Sequence, residues 1–233
     1  MFHNKTVFLI IIGILIGIIF LDLYMQPIIS AQTNGEKFTD RLHDYFYKTK
    51  LKLKPSDYVE WFSDPMHQFV QEEKYHDMRY KVLYKPKEYV ICMEERTNDL
   101  SSTCMKNKLL AMQGFEYFDL QISLLDSSKN IWNHQSKDSL EYDKQLNYFS
   151  FDMEKDIYLV SKQDTFSCQM FHFERSNGLT PYYQFLMGFA ISSSQAQTGM
   201  ELIIRMHSWQ KGYLHFTFDK SIFVKKPELW TVN

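Results

Sequence analysis

Val7 to Leu21 reads VFLIIIGILIGIIFL, fifteen consecutive residues without a polar side chain. This stretch constrains the chain most, because a run of this kind decides the compartment before any fold is considered. Extended through Asp22 to Met25 it reaches nineteen residues, roughly 28 Å of helix at ~1.5 Å per residue. A bilayer hydrocarbon core is about 30 Å thick, so the stretch predicts a single membrane-spanning helix. Asp22 then lies at the far boundary within reach of water, and Tyr24 lies at headgroup depth, where an amphipathic ring is favoured. Lys5 and the amino terminus precede the run and no cationic cluster follows it, which places the N-terminus in the cytoplasm and the rest of the chain outside, in a periplasm-like space. The competing reading is a cleaved signal peptide and an exported protein, with MFHNKT as its charged start and Ser30-Ala31 as small residues near a cut. Against it, Ile29 stands three positions before that cut, and the gap from Leu21 to Ala31 is long.

Three segments follow: an anchor and tether over 1–31, a helical segment over 32–76, and an antiparallel β-rich extracytoplasmic domain over 77–233. About two hundred residues beyond the anchor suffice for a real core. The 26 basic and 28 acidic residues form no long block of either sign, which argues against a nucleic-acid partner, since phosphate contacts need clustered Lys and Arg. Nineteen Phe, 15 Tyr and 4 Trp beside only 8 Gly and 6 Pro favour aromatic-rich sheets over disorder.

Phe38, Leu42, Tyr45, Phe46 and Thr49 have helical spacing, and Asp64-Pro65 offers an N-cap and a proline for a helix to about Tyr75. From Met78 the period becomes two. Met78, Tyr80, Val82 and Tyr84 predict a strand, and Tyr89 to Met93 predict its hairpin partner. Ser101 or Ser102 caps a helix to about Gln113, stopped by Gly114. Phe118, Leu120, Ile122 and Leu124 alternate strictly with Asp119, Gln121 and Ser123, the pattern of a half-buried strand.

Further strands are expected near 148–151, 157–161, 166–175, 182–191, 200–207 and 213–219. Centring the last turn at Gln210 puts Leu202, Ile204 and Met206 on one face with Leu214, Phe216 and Phe218, and Glu201, Arg205 and His207 on the other with His215, Thr217 and Asp219. The fold class is therefore α+β, mainly β: an antiparallel sheet as a sandwich or a curled, partly open barrel, with flanking helices and the N-terminal transmembrane helix.

Candidate chemistry is sparse. His172 and Glu174 share a strand face about 6 to 7 Å apart, where the carboxylate could orient the imidazole, whereas Cys168 lies roughly 13 Å from His172 along the strand and cannot form a dyad with it. The plainer reading of His172 and Glu174 is a polar ladder finishing a strand. His207 and His215 lie diagonally across a hairpin, but zinc needs a third ligand and usually a fourth, so a solvated face is the plainer reading there too. Cys92 ends a predicted strand and Cys104 opens the next helix, which makes them a candidate disulfide; Cys168, on one strand face with Phe166 and Met170 under a period of two, is expected to be a buried structural thiol. Tyr182, Tyr183 and Trp230 are candidate docking residues, since aromatics are enriched at interfaces. No cofactor motif is present. The chain is read as a membrane-anchored accessory or binding subunit of an envelope assembly, with an envelope enzyme built around His172 and Glu174, or a small-ligand or lipid carrier, as alternatives.

Overall fold

A computed structural model describes residues 50–129, 131, 139–175, 179–206 and 212–232. The stretch Val7 to Met25 expected to span the membrane and the helix expected over Phe38 to Thr49 lie outside the described residues, as do residues 176–178 and 207–211, His207 among them. Among the described residues no helix is long and apolar enough to cross a membrane.

Eight strands build one antiparallel sheet: β2 (Val70–Tyr75), β3 (Met78–Lys85), β4 (Glu116–Leu124), β5 (Ile157–Ser161), β6 (Asp164–Glu174), β7 (Tyr182–Phe189), β8 (Met200–Arg205) and β9 (Tyr213–Phe218). Their spatial order is β2-β3-β4-β7-β6-β5-β8-β9, so the β5-β6-β7 meander is inserted in reverse between β4 and β8. The sheet curls until its edges approach. The Gln71 side-chain amide on β2 donates to the Thr217 carbonyl on β9, which nearly closes a barrel without a paired seam.

Register follows from apolar parity. Tyr80 pairs with Ile122, Val82 with Leu120 and Tyr84 with Phe118, and these β4 residues face Tyr183, Phe185 and Met187 on β7. All of these point inward and are buried. The axis is filled with rings: Phe173 and Phe185 stack at 4.9 Å, Phe149 lies 5.4 Å from Phe185, and Phe118 lies 5.6 Å from Phe218. Burying each such side chain stabilises by about 1.5–3 kcal/mol, so the packed interior dominates the stability of the domain.

A bulge in β6 changes the facing of its residues. Cys168 pairs with Phe189, but the next registered pair is Met170 with Gly188, so one extra residue separates the two. Cys168 therefore shares the facing of buried Phe189, whereas Met170 lies over Gly188 on the opposite face. The expectation that Phe166, Cys168 and Met170 share one face fails at Met170 for this reason.

Helices flank the barrel: α1 (Pro55–Ser63), α2 (Lys87–Glu95), α3 (Ser102–Ala111), α4 (Ser139–Asn147), α5 (Ser193–Ala196) and α6 (Lys220–Val224). Ser101 caps α3 through the Cys104 amide, and Gly114 beyond it takes φ +81°, as the sequence predicts. The chain from Asp64 departs from expectation. Asp64 caps only a 3₁₀ turn, Pro65–His67, and Val70 to Tyr75 is a strand, so the helical segment expected to reach residue 76 ends much earlier. Gln-Glu-Glu-Lys has helical propensity, but pairing with β3 overrides it.

Tyr89 to Met93 is likewise helix and not strand: Pro86 precedes the first turn, and Tyr89, Ile91 and Cys92 are buried. Tyr148 to Asp152 forms a π-helical turn where a strand was expected, with the Ser150 hydroxyl donating to the Leu146 carbonyl. At β8–β9 the predicted faces are observed, but Leu202 pairs with Phe216 and Ile204 with Leu214. Each pair is thus moved by two positions on one strand from the register expected, which preserves the faces.

The C-terminal tail is held in place. Strand β10 (Glu228–Leu229) pairs in parallel with β1 (Lys52–Leu53), and Val232 bridges to Ser101. Backbone bonds run from Glu228 N to Leu51 O at 2.8 Å, from Trp230 N to Leu53 O at 2.7 Å, from Ser102 N to Val232 O at 2.8 Å and from Val232 N to Leu100 O at 2.9 Å.

Candidate functional site

The most concentrated buried polar chemistry lies at one end of the barrel, in a recess of about 210 Å³. Four residues from four elements build its floor. Tyr84 continues the inward parity of Tyr80 and Val82 on β3. Pro86 turns the chain, and Lys87, the first residue of α2, is only 8 % exposed. Glu116 opens β4 in phase with Phe118 and Leu120, so the alternation carries a carboxylate onto the apolar face, where it is 1 % exposed. Ser193 follows the cap Ser192 at the start of α5.

Their hydrogen bonds close on one another. The Tyr84 hydroxyl donates to Glu116 Oε2 at 2.6 Å, the Ser193 hydroxyl donates to Glu116 Oε1 at 2.7 Å, and Lys87 Nζ donates to Ser193 Oγ at 2.7 Å. Lys87 Nζ also lies 3.4 Å from Glu116 Oε1 as an ion pair. A carboxylate is tolerated at this depth because a cation and two hydroxyls satisfy it. Burial, reinforced by the Glu116 carboxylate, holds the Tyr84 phenol well above its ordinary pKa, so it remains a donor. At the rim Lys226 Nζ donates to Glu88 Oε2 at 2.9 Å.

A nucleophilic serine needs an adjacent base with a free lone pair. Here the serine proton is directed at Glu116, whose charge is already met by Lys87 and Tyr84, and the Lys87 ammonium donates to the serine oxygen that would have to attack. The arrangement is suited to holding a ligand more than to acyl transfer.

The residues singled out in the sequence lie elsewhere. His172 and Glu174 are exposed on β6, opposite Leu186 and Gln184, and outside the recess. His215 is exposed with Glu201 Oε1 at 3.0 Å from its Nδ1. Its proposed partner His207 lies outside the described residues. Among the described residues no group of three or more His, Cys, Asp or Glu could hold a metal ion. Cys92 and Cys104 are free thiols, contrary to the candidate disulfide, because the segment carrying Cys92 is helical and turns its side chain into the core. Tyr183, at 2 % exposure, is a core residue and cannot serve as a docking residue; its neighbour Tyr182 is half-buried. Trp230 is 38 % exposed, with Lys54 Nζ 6.0 Å from its ring centroid.

Sequence reasoning passed over Tyr84, Lys87, Glu116 and Ser193. One signal was available: Glu116 is the only charged residue on the even-numbered, apolar face of its strand. Comparison with protein-family models, curated proteins and solved structures returned no match to this chain.

Proposed function

We propose that the chain is a single-pass, membrane-anchored protein whose β-barrel lies outside the cytoplasm and acts by binding, as an accessory subunit of an envelope assembly. The anchor rests on the apolar run Val7 to Met25. The binding half rests on one observation, the self-satisfied Tyr84–Glu116–Ser193–Lys87 network lining an open recess. Its charges are already paired with one another, which suits recognition more than proton transfer. Aromatic packing along the barrel axis argues against a carrier that encloses a lipid, and the exposed positions of His172 and Glu174 argue against an enzyme centred on them. Trp230, ordered by the tail's backbone bonds, offers an aromatic contact at the surface.

The test is to wash membranes containing the full chain with carbonate, solubilise them in mild detergent and purify the chain by affinity. The expected result is an intact N-terminus, retention in the membrane fraction and one partner recovered at a fixed ratio that falls in Trp230→Ala. A mature sequence beginning near Gln32, or a purified chain with no partner, would contradict the proposal.

A further inference from the structure

We infer that the recess binds a free α-amino acid with a small apolar side chain, a step that rests on the binding reading above and names its ligand. Hydrogen-bonding capacity in the recess is left unspent. An ammonium has three N–H donors. Lys87 directs one at Ser193 and meets Glu116 only as an ion pair at 3.4 Å, so at least one of its donors has no hydrogen-bond partner among the described residues. At the rim Lys226 commits one donor to Glu88 Oε2, while Glu88 Oε1 accepts no bond among the described residues. The floor therefore offers a donor, and the rim offers an acceptor beside further donors.

Charge narrows the ligand. The lining holds two lysines, Lys87 and Lys226, and two glutamates, Glu88 and Glu116, which sum to zero. A simple anion would leave one uncompensated negative charge in a half-enclosed site, and a simple cation one positive charge; either carries a desolvation cost without a counter-ion. A zwitterion leaves none. Its carboxylate meets the spare donor of Lys87 and its ammonium meets Glu88. Pro86 and Leu109 supply an apolar wall for a side chain.

Size agrees with this. A cavity of about 150 Å³ accommodates benzene, and drug-sized ligands occupy roughly 300–1,000 Å³. At about 210 Å³ the recess lies between these limits, with room for a ligand the size of valine or leucine.

The experiment is isothermal titration of the detergent-solubilised full chain with L-alanine, L-valine and L-leucine, and with acetate, inorganic phosphate and methylammonium as single-charge probes. At least one amino acid is expected to bind at least 100-fold more tightly than any single-charge probe. Glu88→Gln, at the half-exposed rim, should weaken it about tenfold, and Lys87→Met about 100-fold; the rim variant keeps the test intact if Lys87→Met does not fold. Absence of heat with all three amino acids overturns the inference, as does acetate or phosphate binding equally well, or binding unchanged by Glu88→Gln. Failure here with partner recovery intact removes the ligand alone, whereas loss of the partner removes the reading beneath it.

Discussion

A β-carbon placed on Gly188 would lie 3.1 Å from both Cβ and Cε of Met170, its registered partner just beyond the β6 bulge. Cε ends a flexible side chain and can move, but Cβ is fixed by the strand backbone. Gly188→Ala is therefore expected to cost about 1–3 kcal/mol through overpacking, and the cost should be smaller in a Met170→Gly background, which removes that Cβ. Urea unfolding in both backgrounds checks this, and an unchanged midpoint for Gly188→Ala would show that the bulge region yields easily.

That bulge also marks where reading the sequence stops working. Strict alternation made β3 and β4 legible, and two matching alternations gave the faces of β8 and β9, because parity survives a shift of two. No comparable signal announces the extra residue between Cys168 and Met170. Closure of the barrel depends on Val70 to Tyr75, whose Gln-Glu-Glu-Lys core resembles an exposed helix and becomes a strand only because β3 offers it an edge. The four apolar residues Tyr89 to Cys92 are too few for period alone to separate strand from helix. The site was half legible: Glu116 breaks an apolar face in phase, but the burial of Lys87 depends on α2 starting at that residue. His172 and Glu174 attracted notice by nearness in sequence, yet alternate positions on an exposed strand face meet solvent.

Thiol chemistry gives a second test. Burial pushes the Cys92 thiol up to about 12 and the Cys168 thiol up to about 11, from a reference of 9.0. Two pH units at Cys168 mean about 100-fold less thiolate near neutrality, so a thiol reagent should label it about 100-fold more slowly in the native protein than in the unfolded chain. Fast native labelling would contradict the structural role of this cysteine.

The same shifts predict a pH dependence. A folded-state pKa above the unfolded one means that the folded chain holds its proton more tightly. The resulting stability is fully present below about pH 9 and is lost as pH rises towards 11 to 12. Unfolding of the wild type and of Cys92→Ala from pH 8 to 11 should show the wild type losing stability faster at the alkaline end. Parallel curves would remove Cys92 as the cause.

Deleting Glu228 to Asn233 removes the tail's backbone bonds to Leu51, Leu53, Leu100 and Ser102. At about 0.5–1.5 kcal/mol each these sum to roughly 2–6 kcal/mol. Trypsin should then cut at Lys50 or Lys52 faster than in the intact chain, whereas equal cleavage rates would show that the tail does not hold this segment.

On the binding reading proposed above, Tyr84, Lys87, Glu116 and Ser193 act as one coupled polar unit maintained for binding and not for folding. The most direct measurement is a double-mutant cycle of unfolding free energies for Lys87→Met, Glu116→Gln and the pair. Each single change leaves a buried charge without its counter-ion and should cost about 3 kcal/mol or more. In the double variant glutamine still accepts from Tyr84 and no charge remains, so its stability should return to within about 1 kcal/mol of the wild type while amino-acid binding stays lost. Additive destabilisation in the double variant, or binding that survives it, would contradict the claim.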